Sequence, residues 1–213
     1  TKYETTIKEN NKIDVSLKFE DLEKFYVDQI NVFGNFITEE KVIRNSLIID
    51  EGDAFNKVLY KKSINNIKSR GIFKSVNSTV ATAPNDNQKK IIDIKVEETA
   101  TGEIFAGAGT GTSGASISAG IQEKNYLGKG IRLTTNLSLS EDEVKGKFAI
   151  INPNFRNTDK LVRFSAEAIE TDRLETFGYK TNKTGFSFGT SFEFLDKFNI
   201  GLGNSNYYEK IDT

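Results

Sequence analysis

The residues with the most suggestive spacing are glycines. Gly109-Thr110-Gly111-Thr112-Ser113-Gly114 satisfies GxGxxG, which in a dinucleotide-binding fold holds pyrophosphate on backbone N–H groups at the start of a helix. That chemistry needs a helix directly after the glycines. Here an alternating apolar and polar run follows, so phosphate binding at this motif is not expected. Carboxylates gather at Glu97-Glu98 and at Glu141-Asp142-Glu143. Such clusters serve as acid and base pairs or cation ligands, but solvated strand ends and a loop tip explain these better. The chain has no His and no Cys, which removes imidazole bases, thiol nucleophiles and the commonest zinc ligands. No catalytic residue, metal site or cofactor is expected, and the chain is not read as an enzyme. Asn77, Asn136 and Asn182 each open an N-x-[ST] triplet, which arises easily in an Asn-rich chain and receives no role.

With 29 Lys plus Arg against 30 Asp plus Glu, no strong preference for nucleic acid or anionic lipid is indicated. The chain begins at Thr1, contains no Met and shows no signal-peptide pattern, so it is read as an internal piece. It has no run of about 18 apolar residues, the length a transmembrane helix requires. A membrane β-barrel stays open, because its signal is alternation.

The elements that position these residues fall into two parts that change character near residue 100. Glu9-Asn10-Asn11-Lys12 separates two extended segments, the second with Ile13, Val15, Leu17 and Phe19 on one face. Tyr26 to Phe33 is a strand ended by Gly34-Asn35. Thr38 is the expected N-cap of a helix running to about Ile49, with Glu39 and Glu40 in its first turn. Asn56 to Arg70 is a second helix with Tyr60, Ile64 and Ile67 at helical spacing and Gly71 at its end. Phe73 to Ala83 and Lys90 to Glu98 are strands joined through Pro84-Asn85-Asp86-Asn87. Lys18-Phe19-Glu20-Asp21 recurs as Lys95-Val96-Glu97-Glu98 about 77 residues later, so the opening hairpin is read as the tail of a preceding copy of the same domain.

From Gly102 the period is two. Ala115, Ile117, Ala119 and Ile121 alternate with Ser116, Ser118, Gly120 and Gln122, and the odd positions Ile131 to Leu139 alternate with Arg132, Thr134, Asn136 and Ser138. Val162, Phe164, Ala166 and Ala168 do the same, as do Phe186, Phe188, Phe192 and Phe194. About seven strands of roughly 8 to 11 residues result, the length that crosses a bilayer at barrel tilt. Arg132, Lys145, Lys147, Arg163, Glu167 and Glu193 on the polar face suit a wet lumen. Tight turns at Thr112-Ser113 and Asp196-Lys197, against a long polar loop from Thr171 to Lys183, suit the two ends of an outer-membrane barrel. A soluble antiparallel sandwich would also alternate and remains an alternative.

Several segments in order resemble the BamA-type outer-membrane assembly factors. Tyr26-Val27-Asp28-Gln29-Ile30-Asn31-Val32-Phe33-Gly34-Asn35 is similar to the opening strand of that family's last POTRA domain. Val42-Ile43-Arg44 with Asp50-Glu51-Gly52 resembles its first helix and following turn, and Arg70-Gly71-Ile72-Phe73-Lys74-Ser75-Val76 its helix-to-strand junction. Glu97-Glu98-Thr99-Ala100-Thr101-Gly102 is similar to the exit into the barrel, and Gly107-Ala108-Gly109-Thr110 to the first barrel strand. Asn125-Tyr126-Leu127-Gly128-Lys129-Gly130 and Asn152-Pro153-Asn154-Phe155 complete the series.

The resemblance implies an α+β POTRA domain (β-α-α-β-β), then an all-β antiparallel transmembrane segment of an incomplete barrel. The expected division is 1–25 for the preceding hairpin and linker, 26–100 for the last POTRA domain and 101–213 for the barrel strands. It implies a protein of the Gram-negative outer membrane, its POTRA part in the periplasm, that folds and inserts other barrels. Its partners would be unfolded outer-membrane β-barrel clients, accessory outer-membrane lipoproteins and the lipid bilayer, with no nucleic acid. The lateral seam would be the strand Glu103, Ile104, Phe105, Ala106, Gly107, Ala108, Gly109, Thr110 and Gly111, weakened by its glycines. Arg44 and Glu51 would dock the lipoproteins, and a POTRA strand edge would bind extended segments. A related POTRA-barrel pore that secretes or translocates a polypeptide would share these parts. The soluble sandwich on a binding scaffold is the second alternative.

Overall fold

The computed structural model describes residues 2–8, 12–18, 23–111, 114–195 and 198–213, the first two stretches by backbone alone. Strands β1 (Lys2–Lys8) and β2 (Lys12–Lys18) pair antiparallel from Lys2↔Lys18 to Lys8↔Lys12, so the two opening segments form a hairpin; Glu9, Asn10 and Asn11 lie outside the described residues. The repeat residues Phe19, Glu20 and Asp21 lie outside the described residues.

The expected strand-helix-helix-strand-strand order is present: β3 (Tyr26–Phe33), α1 (Glu40–Arg44), α2 (Lys57–Ser69), β4 (Phe73–Ala83) and β5 (Asp86–Glu98). The sheet order is β3-β5-β4, with β3 parallel and β4 antiparallel to the central β5. Val27, Ile30, Ile43, Ile49, Ile64, Ile67, Val76, Ile92, Ile94 and Val96 form its core, drawn from strands, both helices and the segment between them. Asn56 caps α2, its side chain accepting from Val58 N at 2.8 Å and Leu59 N at 3.2 Å.

Three sequence expectations need correction here. Thr38 does not cap α1; the cap position is Glu39, and α1 stops at Arg44 rather than near Ile49. The N–H groups of Asn45, Ser46 and Leu47 still bond back to Lys41, Ile43 and Arg44, but at Ile48 a tertiary partner takes over: Ser63 Oγ of α2 accepts the Ile48 N–H at 2.8 Å. Strand β5 starts at Asp86, leaving Pro84-Asn85 as the whole turn.

Residues 102–213 form one seven-stranded antiparallel sheet in chain order: β6 (Gly102–Gly111), β7 (Gly114–Tyr126), β8 (Ile131–Ser140), β9 (Glu143–Asn152), β10 (Leu161–Arg173), β11 (Tyr179–Leu195) and β12 (Phe198–Asp212). It is not closed into a barrel, so β6 and β12 are edges. Register places Ile117, Ala119, Leu137, Leu139, Phe148, Phe164, Phe186 and Phe188 on one face, and no second sheet covers it among the described residues. Fully buried apolar side chains stop at Val96. A soluble sandwich buries one face of each sheet, so that alternative fails. On the opposite face Lys147 and Glu167 sit directly across from one another and pair at 3.3 Å.

The strands run from 10 to 17 residues, longer than expected. The supposed loop Thr171 to Lys183 is mostly strand: β10 and β11 continue through Thr171↔Thr181 to Arg173↔Tyr179, and only the short helical turn α3 (Leu174–Phe177) and Gly178 connect them. Backbone pairing needs no apolar side chains, and Lys180 bridges to Glu170 at 2.6 Å along this polar stretch. Both tight turns, Thr112-Ser113 and Asp196-Lys197, lie outside the described residues. Strand parity puts the β6–β7 and β11–β12 connections at opposite ends of the sheet, so turn length does not sort the two ends.

Candidate functional site

Strand β6 pairs with β7 from Gly102↔Glu123 to Gly111↔Gly114, and its other edge has no partner among the described residues. All nine seam residues expected from the sequence lie on this strand, all exposed, with Ile104 at 84%. Within GxGxxG, Gly109, Thr110 and Gly111 end β6 and Gly114 opens β7, so a strand and not a helix follows the motif.

The glycines differ in what they permit. A Cβ at Gly109 or Gly111 would meet nothing within 4 Å, and one at Gly107 would only touch Ser118 Oγ at 4.0 Å. Packing therefore does not require glycine at these positions; their effect is to leave the strand without cross-strand side-chain contacts. Gly120 on β7 is the opposite case, because a Cβ there would overlap both Phe105 Cζ and the Thr135 carbonyl oxygen. The Phe105 ring covers Gly120 and anchors the lower half of β6, a role that period-two reading did not reveal. Tyr207 of the other edge strand covers Gly185 in the same way. Glu103 adds an ion pair to Lys124 at 2.9 Å.

Arg44 and Glu51 are brought together, 3.5 Å apart, at the outer edge of β3. Glu51 Oε1 accepts the Ile30 N–H at 2.9 Å, and Arg44 Nη2 donates to the Ile30 carbonyl at 2.8 Å. Arg44 also holds Glu40 at 2.7 Å, and that hydrogen bond raises its pKa against the effect of burial. The pair thus caps one residue of a sheet edge while staying accessible. Earlier along β3, Val27 N–H donates to Asp53 O at 2.8 Å and Gly52 N–H to Val27 O at 2.7 Å. With β3 covered this way, β4 is the open edge of the three-stranded sheet.

Between the two units lies a joint that sequence reasoning missed. Glu98, at the end of β5, accepts N–H groups from Phe36 at 3.1 Å, Ile37 at 2.9 Å and Thr38 at 2.6 Å. Burial pushes its pKa up, but hydrogen bonds from Thr38, Ile37 and Phe36 outweigh this and hold it below the ordinary carboxylate value. The ordered loop then meets the β7–β8 turn. Buried Asn125 donates to Thr38 Oγ1 at 2.9 Å and accepts the Gly130 N–H at 2.7 Å, while Glu39 N–H donates to Gly128 O at 2.9 Å. Gly128 has φ +70, and a Cβ on it would overlap the Ile37 carbonyl; one on Gly130 would fall 2.8 Å from Val42 Cγ1. Further along, Arg70 Nη2 donates to Asn154 Oδ1 at 2.6 Å. The Asn125-x-x-Gly128-x-Gly130 spacing was the visible signal, but no pattern rule says that such a turn receives another domain.

Comparison with known proteins follows this division. Residues 25–99 match the family model described as POTRA, surface antigen variable number repeat. Across 205 residues, 95% of the chain, it is 24% identical to "Outer membrane protein assembly factor BamA" of Neorickettsia risticii, and spans 27% of that relative's length. The crystal structure of BamA from Haemophilus ducreyi lacking POTRA domains 1–3 superposes with a TM-score of 0.76 at 22% identity, covering 100% of this chain and 41% of that one. CdiB from Acinetobacter baumannii gives 0.59 at 13% identity over 89% of this chain and 39% of its own. Both structures share the fold.

Proposed function

We propose that this chain, a POTRA domain leading into strands of a BamA-type outer-membrane barrel, serves in a protein that folds and inserts other β-barrels into the outer membrane. The observation that carries this reading is the unpartnered edge of β6, joined within a few residues to the POTRA unit. In a bilayer every backbone N–H and C=O needs a partner, so an entering hairpin must gain its hydrogen bonds as it enters. An edge at Glu103 to Gly111 supplies them by strand addition. In the complete barrel this edge meets the closing strand, and the bare glycines between Gly107 and Gly111 make that seam easy to part, by roughly 0.5–1 kcal/mol each. Clients arrive unfolded from the periplasm along the POTRA unit, whose β4 edge accepts extended segments. Arg44 and Glu51 form the docking point for accessory lipoproteins.

The test is a disulfide joining Ala108→Cys to a cysteine in the closing strand of the full-length protein. With the lock formed, client insertion should stop while the barrel stays folded, and reduction should restore it. Normal client assembly with the lock demonstrably closed would sink the seam mechanism. The second reading, a pore that exports a polypeptide, is favoured by the likeness of the same fold to CdiB. The lock separates the two, because passage through the lumen would continue with the seam closed.

A further inference from the structure

Beside the joint is a cleft of about 180 Å³ lined by Lys41 of α1, Arg70 at the end of α2, Lys129 of the β7–β8 turn and Arg156 of the β9–β10 connection. Lys41 pairs with Glu39. Arg70, Lys129 and Arg156 have no carboxylate within ion-pair distance among the described residues. Arg70 is half-buried, and its guanidinium donates only to neutral oxygens, Ser46 Oγ at 2.5 Å and Asn154 Oδ1 at 2.6 Å. Burial lowers its pKa and the nearby Arg132 charge lowers it further. A guanidinium does not shed its proton in a protein, so a charge partly withdrawn from water among other cations lacks a counterion. The near-zero net charge of the whole chain conceals this local excess.

Position decides which anion fits. Ile131 and Asn152 also line the cleft, and alternation puts them on the same face as Leu133 and Ile150, which pair across β8 and β9. The cleft therefore opens where the apolar face of the sheet ends, toward the POTRA unit. In a membrane-spanning sheet that is headgroup level, just outside the hydrocarbon.

We infer that this cleft binds the phosphate of an anionic phospholipid from the leaflet facing the POTRA unit, with the acyl chains leaving along Ile131 and Leu133. Arg70 supplies a preset planar donor, and Lys129 and Arg156 supply flanking charge. Because two of these cations sit on barrel turns and one on the POTRA unit, a bound headgroup ties the joint to the membrane surface. The inference rests on the membrane reading of the seven-stranded sheet.

The experiment uses the full-length protein in neutral maltoside detergent, titrated with dihexanoyl phosphatidylglycerol, dihexanoyl phosphatidylcholine or inorganic phosphate and followed by native mass spectrometry. The variant is Lys129→Gln with Arg156→Asn; both side chains are exposed, and Asn tolerates the φ of +55 that Arg156 adopts. Phosphatidylglycerol should bind one molecule saturably and much more tightly than phosphatidylcholine, and the variant should lose roughly 30-fold in affinity, about fivefold per cation. An unchanged melting midpoint should accompany that loss. Equal phosphatidylglycerol binding by the variant would overturn the site. Inorganic phosphate competing as well as the lipid would overturn the lipid assignment in favour of a free anion. Solubility of the protein without detergent would instead defeat the membrane reading, so the two failures look different.

Discussion

The ring of Phe105 lies over Gly120 on the neighbouring strand, and the same strand that carries this aromatic anchor carries three glycines with open space around them. Strand β6 is thus held at the end that follows β5 and loose toward Gly111. Phe105→Ala should weaken β6–β7 pairing by about 1 kcal/mol and speed amide exchange in the Glu103 to Gly107 stretch roughly fivefold. Gly120→Ala should speed it further, because the added Cβ displaces the ring and also collides with the Thr135 carbonyl oxygen of β8. Gly107→Val, which meets no close neighbour, should slow exchange instead. Identical exchange in all three variants would show that Phe105 is not the anchor.

Glu51 and Arg44 have a structural task that must be separated from any docking task, since both close on Ile30. Glu51→Lys removes the acceptor and reverses the charge. It should expose the Ile30 amide to exchange and lower stability by no more than about 1.5 kcal/mol, because both side chains are substantially solvated. Glu51→Gln keeps an acceptor and removes only the charge. Loss of lipoprotein co-purification in Glu51→Gln with unchanged Ile30 exchange would assign docking to the charge. Retained co-purification in Glu51→Lys would count against the docking role.

What was legible in the sequence was what repeats. Period two revealed the strands because Ile117, Ala119, Leu137, Leu139, Phe148, Phe164, Phe186 and Phe188 keep to one face, and Gly71 and Asn56 marked the ends of α2 by local chemistry. Features decided by distant residues were not legible. Thr38 has the type and place of an N-cap, yet its hydroxyl serves Asn125, 87 positions away, and its amide serves Glu98. The polar ends of β10 and β11 read as loop because pairing there is held by backbone and ion pairs, which leave no apolar alternation. Gly120 reads as one more small residue until Phe105 is placed above it.

Glu98 gives the joint a pH dependence with a definite sign. Its pKa is lower in the folded chain than in the unfolded one, so it contributes stability above the ordinary value of about 4.3, and that contribution is lost as pH falls through the folded value. Glu98→Gln removes the charge that the Phe36, Ile37 and Thr38 amides point at. The melting midpoint should fall in the variant at pH 6 to 7, and the gap to the parent should close well below pH 4. A gap independent of pH would mean that the Glu98 charge does not hold the loop.

The open sheet dictates how this 213-residue chain behaves by itself. Among the described residues, strands β6 and β12 each present a full unpaired edge, and nearly all of their residues are exposed. A backbone group without a partner in hydrocarbon costs several kcal/mol, so ten residues of edge far exceed the few kcal/mol that separate a folded chain from an unfolded one. Closing seven strands on themselves is not available, because bacterial single-chain barrels begin at eight. The chain alone should therefore fail to become carbonate-resistant when offered to liposomes, and should associate edge to edge instead. A second polypeptide carrying the remaining strands should rescue insertion, since it pairs both edges at once. Carbonate-resistant monomers formed by the chain alone, with the heat-dependent gel shift of a closed barrel, would refute the edge argument and with it the need for a seam partner.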